Sequence, residues 1–246
     1  MPSNASGPEP PWLSTDQMRE VDRAMVEDYG ILLIQMMENA GRNLAQLARA
    51  RFLESNAFGK TILVLAGPGG NGGGGLVCAR RLHNWGADVR VYLSSPVAKL
   101  TDVSRHQHDV LEKISVPIRE SDKRTTLPNA DLVVDAILGY GLRGDPRDAS
   151  ATLIGAANVH GAPVLSLDVP SGIDATTGIA RRPAVKAAAT MTLALPKEGL
   201  RTEAARELVG ELYLADISVP PGLYSHPPLN LDVGPLFATE EIVRIG

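Results

Sequence analysis

Two aspartates, an amide and a serine stand where extended apolar runs give way to small, polar turns. Asp135 closes the run Leu132-Val133-Val134 and leads into Ala136-Ile137-Leu138-Gly139-Tyr140-Gly141-Leu142-Arg143-Gly144-Asp145. Asp168 follows Leu165-Ser166-Leu167 and precedes Val169-Pro170-Ser171-Gly172. Asn71 lies inside Gly67-Pro68-Gly69-Gly70-Asn71-Gly72-Gly73-Gly74-Gly75, directly after Thr61-Ile62-Leu63-Val64-Leu65-Ala66. A positioned carboxylate can act as a general acid or base. Asn71, Asp135 and Ser171 offer two neutral oxygens and one carboxylate, a hard donor set that suits a weakly charged cation better than a transition metal. The same three residues are equally suited to hydrogen-bonding a substrate.

The glycine turn joins a strand to the helical stretch Leu76-Val77-Cys78-Ala79-Arg80-Arg81-Leu82. A helix N-terminus offers unpaired N–H donors and partial positive charge, so anions bind there, and glycines let a ligand touch the backbone. The pattern predicts a grip on a phosphorylated small molecule. Gly67 to Gly72 literally match G-x-G-x-x-G. A dehydrogenase would end its next strand in an acid, yet that strand ends Tyr92-Leu93-Ser94-Ser95. A P-loop is excluded because no Lys-Ser/Thr follows the glycines.

The surrounding pattern supplies the elements that must position these groups. Ser14-Thr15-Asp16-Gln17 opens a helix running to about Tyr29 and ended by Gly30. A second helix is predicted from Leu33 to Phe52, with Met37, Ala40, Leu44, Leu47 and Ala48 at core spacing. Strands are predicted at 61–66, 89–93, 132–137, 164–169, 190–195 and 212–217, with helices at 75–85, 102–114 and 148–158. Alternation of strands and helices predicts an α/β fold with a mostly parallel sheet covered on both faces. Ligands bind such sheets at the carboxyl ends of the strands. Three chemically unusual strand ends in one chain therefore predict one shared site. A tail over residues 1–13 and a single domain over 14–246 complete the organisation, with 220–228 as a surface excursion.

Composition sets the outer limits. The 246 residues are 44% hydrophobic, enough for a sizeable core, and the formal charge is −4. That charge and the sparse aromatics give no reason to expect nucleic-acid binding. One cysteine excludes an intrachain disulfide framework and fits a reducing compartment. Neither a secretory leader nor a membrane-spanning run is expected, so the reading is cytoplasmic. Among weaker candidates, His106 and His108 do not share a helix face, and Cys78 reads as a small core residue. Lys197 could reach a phosphate or be an ordinary surface lysine. In Glu38-Asn39-Ala40-Gly41 close helix packing competes with a contact from Asn39 to the pocket.

Met37-Glu38-Asn39-Ala40-Gly41-Arg42, the turn around Asn71, Val134 to Gly139, Leu167 to Gly172 and Leu195-Pro196-Lys197 occur in one order. That order resembles the NAD(P)HX epimerase family, the YjeF N-terminal domain, over roughly Leu13 to Val219. The resemblance implies a Rossmann-like three-layer α/β/α sandwich, a homodimer, a bound potassium ion and a dinucleotide substrate. The implied reaction interconverts the two epimers of hydrated NADH or NADPH. By resemblance, Asn71, Asp135 and Ser171 match the potassium ligands, Gly139, Tyr140, Gly141, Leu142, Arg143, Gly144 and Asp145 match the dinucleotide loop, and Asp168 matches a substrate-contacting acid. Asp168 is expected to be catalytic. Gly70, Asn71, Gly72, Gly73 and Gly74 occupy the substrate-binding turn. A separate dehydratase is the implied functional partner, since the dehydratase domain fused in some relatives is expected to be absent.

The turn departs from the family's usual Asn-Asn-Gly-Gly-Asp-Gly at Gly70 and Gly74, and Ala188 replaces an expected polar residue. Two other readings follow from those departures. One is a non-catalytic nucleotide-binding or scaffolding module; the other is the same fold redirected to another small substrate.

Overall fold

The computed structural model describes residues 9–246, so the first eight residues of the expected tail lie outside it. The last residue of that stretch is packed rather than part of a tail. Leu13 is fully buried, donates its N–H to the Pro196 carbonyl at 2.7 Å and accepts from the Glu198 N–H at 2.9 Å. Helix α1 (Thr15–Glu27) begins at a capping box in which Ser14 and Gln17 exchange hydrogen bonds. Its apolar stripe buries Met18, Val21, Ala24 and Met25. Gly30, at φ +66°, makes the left-handed turn that separates it from helix α2 (Leu33–Phe52).

The strands are β1 (Thr61–Ala66), β2 (Asp88–Leu93), β3 (Ile118–Glu120), β4 (Leu132–Ala136), β5 (Val164–Leu167), β6 (Ala189–Leu193), β7 (Glu211–Ala215) and β8 (Ile242–Arg244). They form one sheet in the order β3-β2-β1-β4-β5-β6-β7-β8. All pairings are parallel except the antiparallel β7–β8 edge. Four of the six expected strands stop one or two residues early, at Ala136, Leu167, Leu193 and Ala215, because the chain leaves the ladder there to build loops. The short edge strands β3 and β8 carry too few residues to show a period of their own.

Both faces of the sheet are covered. Ile62, Val64 and Ala66 of β1 pack in one cluster with α2 residues such as Leu44 and Leu47. The alternate residues Leu63 and Leu65 pack in another with Leu153 and Ile154 of helix α5 (Asp148–Val159). This period of two, with both faces apolar, makes a buried parallel strand read as a continuous hydrophobic run.

Helix α3 (Gly70–Asn84) starts five residues before the expected 75, so the glycine turn is itself the first turn of the helix. The reason is proximity to α2. A Cβ on Gly41 would stand 2.5 Å from the Gly74 carbonyl oxygen and 2.4 Å from Val77 Cβ. Close packing thus accounts for the small residues of 38–41. Glu38 meets Arg80 of α3 in a 2.7 Å ion pair, and Asn39 Nδ2 lies 3.4 Å from the Ile217 carbonyl. Helix α4 (Asp102–Lys113) follows β2, and helix α6 (Glu203–Val209) precedes β7. The stretch 220–228 lies mostly at the surface, as expected, but it contains the short helix α7 (Pro221–Ser225), which buries Leu223 and Tyr224. His108 Nδ1 meets neighbouring Asp109 at 3.1 Å, without His106, and Cys78 is wholly buried with its thiol pKa pushed up by that burial.

A side chain at Gly72 would place Cβ 1.9 Å from the Gly67 carbonyl oxygen, which is backbone and cannot yield. Gly72→Ala is therefore expected to lower the unfolding free energy by about 3 kcal/mol, the upper range for overpacking. At Gly70 the nearest atom is the flexible end of Met37 at 3.7 Å. Gly70→Asn should change stability by less than about 1 kcal/mol. Urea denaturation of the two variants checks the contrast.

Candidate active site

β1, β4 and β5 are adjacent at the centre of the sheet, and the strand order reverses between β1 and β4. The loops leaving this point diverge and open a crevice. A cavity of about 960 Å³ lies there, walled by α1, α2, the start of α3 and the segment after β4. That size falls in the range of small-molecule and cofactor sites.

Asp135 pairs in register with Leu65 on one side and Ser166 on the other, deep in the sheet. It is completely buried. Its carboxylate accepts from Ser171 Oγ at 2.6 Å, the Ser171 N–H at 2.9 Å, Ser166 Oγ at 2.8 Å and, more loosely, the Ile137 N–H at 3.3 Å. Every one of these donors is neutral. Burial pushes the Asp135 carboxyl above its ordinary range, against the pull of those hydrogen bonds. A buried carboxylate whose hydrogen-bond donors are hydroxyls and backbone N–H groups fits a monovalent cation. Asn71 adds a second sign, because its Nδ2 is buried with no partner. A half-turn of that amide would present an oxygen instead.

Asp168 stands one residue past the end of β5. Its φ is +66°, a left-handed conformation that costs a non-glycine residue free energy and recurs at functional sites. The Asp168 N–H donates to the Met191 carbonyl at 2.7 Å, which holds the turn against β6. Oδ1 accepts from Lys197 Nζ at 2.5 Å, and Oδ2 accepts from the Tyr140 N–H at 3.3 Å. Lys197 is 0% exposed, so the expectation of a surface or phosphate-reaching lysine is corrected. Its ammonium also donates to the Leu193 carbonyl at 2.8 Å and to Thr192 Oγ1 at 3.2 Å.

The expected site residues divide into a wall and its support. Gly70 and Asn71 line the cavity from the N-terminus of α3, and Asp168 lines its floor. Every residue from Gly139 to Asp145 lines it except Gly144. Asn71 and Asp168 meet at Gly139, where an added Cβ would lie 3.3 Å from Asn71 Cγ and 3.4 Å from Asp168 Oδ2. Gly72, Gly73 and Gly74 are not in that wall. They are buried against the Gly67 backbone, Met37 and Leu167 respectively. Asp135 and Ser171 are fully buried and also lie outside the lining. Asp22 of α1 was not anticipated. Its carboxylate accepts a short hydrogen bond from the Tyr140 hydroxyl, and burial pushes the pKa values of both groups up. A signal existed: Asp22 lies four residues after buried Met18, so it sits on the inward side of an amphipathic helix. Arg19, Arg143 and Arg147 add positive charge around the same cavity.

The model of the YjeF-related protein N-terminus matches residues 33–199, more than half of the chain. The chain belongs to this family. An NAD(P)H-hydrate epimerase of Dehalogenimonas lykanthroporepellens is 43% identical over 222 residues, covering 90% of this chain and 87% of that protein. The bifunctional NAD(P)H-hydrate repair enzyme Nnr of Salinibacter ruber is 36% identical over 226 residues, and this chain covers 41% of its length. The fold is that of the crystal structure of yeast ynu0, YNL200c, with a TM-score of 0.78 and 26% identity over 96% of this chain and 100% of that one.

Removing one partner of a buried ion pair strands the other charge. Lys197→Met should therefore destabilise the protein by about 3–5 kcal/mol, whereas pairing it with Asp168→Leu should recover much of that loss. Urea unfolding of the two single variants and the double variant tests this coupling.

Proposed function

We propose that this chain is an NAD(P)H-hydrate epimerase, interconverting the R and S epimers of hydrated NADH and NADPH. Asp168 carries the reading: it is a carboxylate held in a left-handed turn, on the floor of a dinucleotide-sized cavity, between a buried ammonium and the Tyr140 N–H. The names and the extent of the relatives support it.

The substrate carries a hydroxyl on a ring carbon next to nitrogen. Its configuration is scrambled by losing and regaining water through an iminium, or by opening and closing the ring. Both routes move a proton at that hydroxyl, which a fixed carboxylate can accept or return. The N-terminus of α3, at Gly70 and Asn71, and the cationic Arg19, Arg143 and Arg147 suit the phosphates of the dinucleotide. In our reading Asn71, Asp135 and Ser171 hold potassium. Bound there, the ion would neutralise the buried Asp135 carboxylate beneath the substrate turn.

The fused repair enzymes support functional partnership with an NAD(P)HX dehydratase. Exposed Tyr29, Leu32 and Leu33, beside the cavity wall, support a homodimer. The single buried cysteine supports a cytoplasmic setting, and among the described residues no helix is long and apolar enough to cross a membrane.

The decisive assay supplies R-NADHX to an S-specific dehydratase with its nucleotide, adds this protein and potassium, and subtracts spontaneous epimerisation. NADH recovery should accelerate catalytically. Asp168→Asn should lower turnover by at least about 100-fold while dinucleotide binding persists, with folding verified because Lys197 loses its partner. Unchanged turnover would remove Asp168 from the mechanism.

Potassium should also raise thermal stability. Because burial lifts the Asp135 pKa, the folded state binds more protons than the unfolded one between the two values, and stability falls as pH rises through that window. A cation on the ionised form offsets this loss above the window, by about 2.7 kcal/mol at 100 times its Kd. Melting in potassium against choline at neutral pH should show the gain, and Asp135→Asn should remove it.

A further inference from the structure

On the iminium route, inverting the hydroxyl-bearing carbon takes departure of water from one face and its return to the other, and each event moves a proton. Asp168 is equipped for one of the two. Both of its oxygens already accept hydrogen bonds, from Lys197 Nζ and from the Tyr140 N–H. That arrangement suits taking a proton from an arriving water. Lys197 cannot be the second group, since it is 0% exposed and absent from the cavity lining.

The cavity lining holds another proton-bearing pair, carried by a different element. Asp22 projects from α1, whereas Asp168 stands at the end of β5, and Tyr140 spans the distance between them. The backbone end of Tyr140 donates to Asp168 and its phenol end donates to Asp22 in a short hydrogen bond. Burial raises the pKa of the Asp22 carboxyl, so this carboxyl holds a proton to higher pH than a free one would, with the Tyr140 hydroxyl in hydrogen-bond contact to pass it on. The other ionisable groups on the wall are Asp145, bonded to the Arg182 N–H, and guanidiniums, which do not release protons.

We propose that the Asp22–Tyr140 pair is the second proton-transfer group of this site, acting on the face of the hydrated ring opposite Asp168. The inference rests on the epimerase reading. In one direction the protonated Asp22 carboxyl passes its proton to the Tyr140 oxygen as the Tyr140 hydroxyl gives its own to the ring hydroxyl, leaving the Asp22 carboxylate and a neutral phenol. The carbon–oxygen bond breaks, its electron pair leaves with the oxygen as water, and the nitrogen lone pair forms the iminium bond. Water then adds to the opposite face. Its oxygen supplies the pair for the new carbon–oxygen bond, the π pair returns to nitrogen, and the surplus proton passes to Asp168. The reverse reaction starts with the proton on Asp168, and exchange with solvent resets the enzyme between turnovers.

The test follows R- and S-NADHX in ¹⁸O-labelled water with wild-type protein, Tyr140→Phe and Asp22→Asn. Tyr140→Phe keeps the ring and the N–H that Asp168 accepts, and melting checks the fold of both variants. Inversion should fall by about 100-fold or more in each, with dinucleotide binding changed less than about threefold. In both variants one epimer should still exchange its hydroxyl for label without inverting, because Asp168 can both release and return water on its own face. A merely structural role would not separate exchange from inversion. Wild-type inversion rates in the variants, or exchange and inversion falling in proportion, overturn the second group alone. An inactive wild type overturns the epimerase reading and this inference with it.

Discussion

A fully buried ammonium 2.5 Å from a carboxylate holds the ligand-binding edge of this protein together. Neither charge tolerates burial without the other, and each needs further partners. Lys197 meets that demand with donors to Asp168, Thr192 and Leu193, so the end of β6 is tied to the end of β5. The backbone on either side of Lys197 pairs with Leu13, which extends the tie to the start of the chain. Asp168 is thereby kept in its left-handed turn, facing the cavity. The same pair explains why the N-terminal segment stops being a tail at Leu13: sealing the ammonium from water requires an apolar cover.

Close packing does for the amide end of the site what charge does for the carboxylate end. Helix α3 can begin at Gly70 only because Gly41 admits its backbone against α2, and Gly72 admits the Gly67 carbonyl. Four consecutive buried glycines, Gly72 to Gly75, are costly for a helix in propensity. Tertiary contacts override that cost and leave the first N–H groups of the helix at the cavity. The glycines therefore shape the cavity indirectly, by setting where the helix starts.

This bears on the two glycines at which the turn departs from the pattern that the resemblance implies. Gly70 borders the cavity and has room for a side chain. Gly74 lies beneath the wall, and a Cβ there would meet Leu167 Cδ2 at 2.8 Å. Leu167 occupies the space into which an acid at position 74 would extend. Asp135, Asp168 and Ser171 are each held by hydrogen bonds independent of position 74.

Read alone, the chain determined its alternating elements, the buried parallel strands, the helix from Leu33 to Phe52 and the three strand ends that carry Asn71, Asp135 and Asp168. Those features are local: periodicity, caps and turn residues act over a few positions, so a window of sequence contains their cause. Only the tertiary structure decided that β1, β4 and β5 are adjacent, that Lys197 is buried and that Asp22 reaches Tyr140 across 118 positions of sequence. Whether a charge is solvated or paired depends on what distant segments pack over it. No local pattern encodes that, because the free energy of a buried charge is set by its neighbours in space.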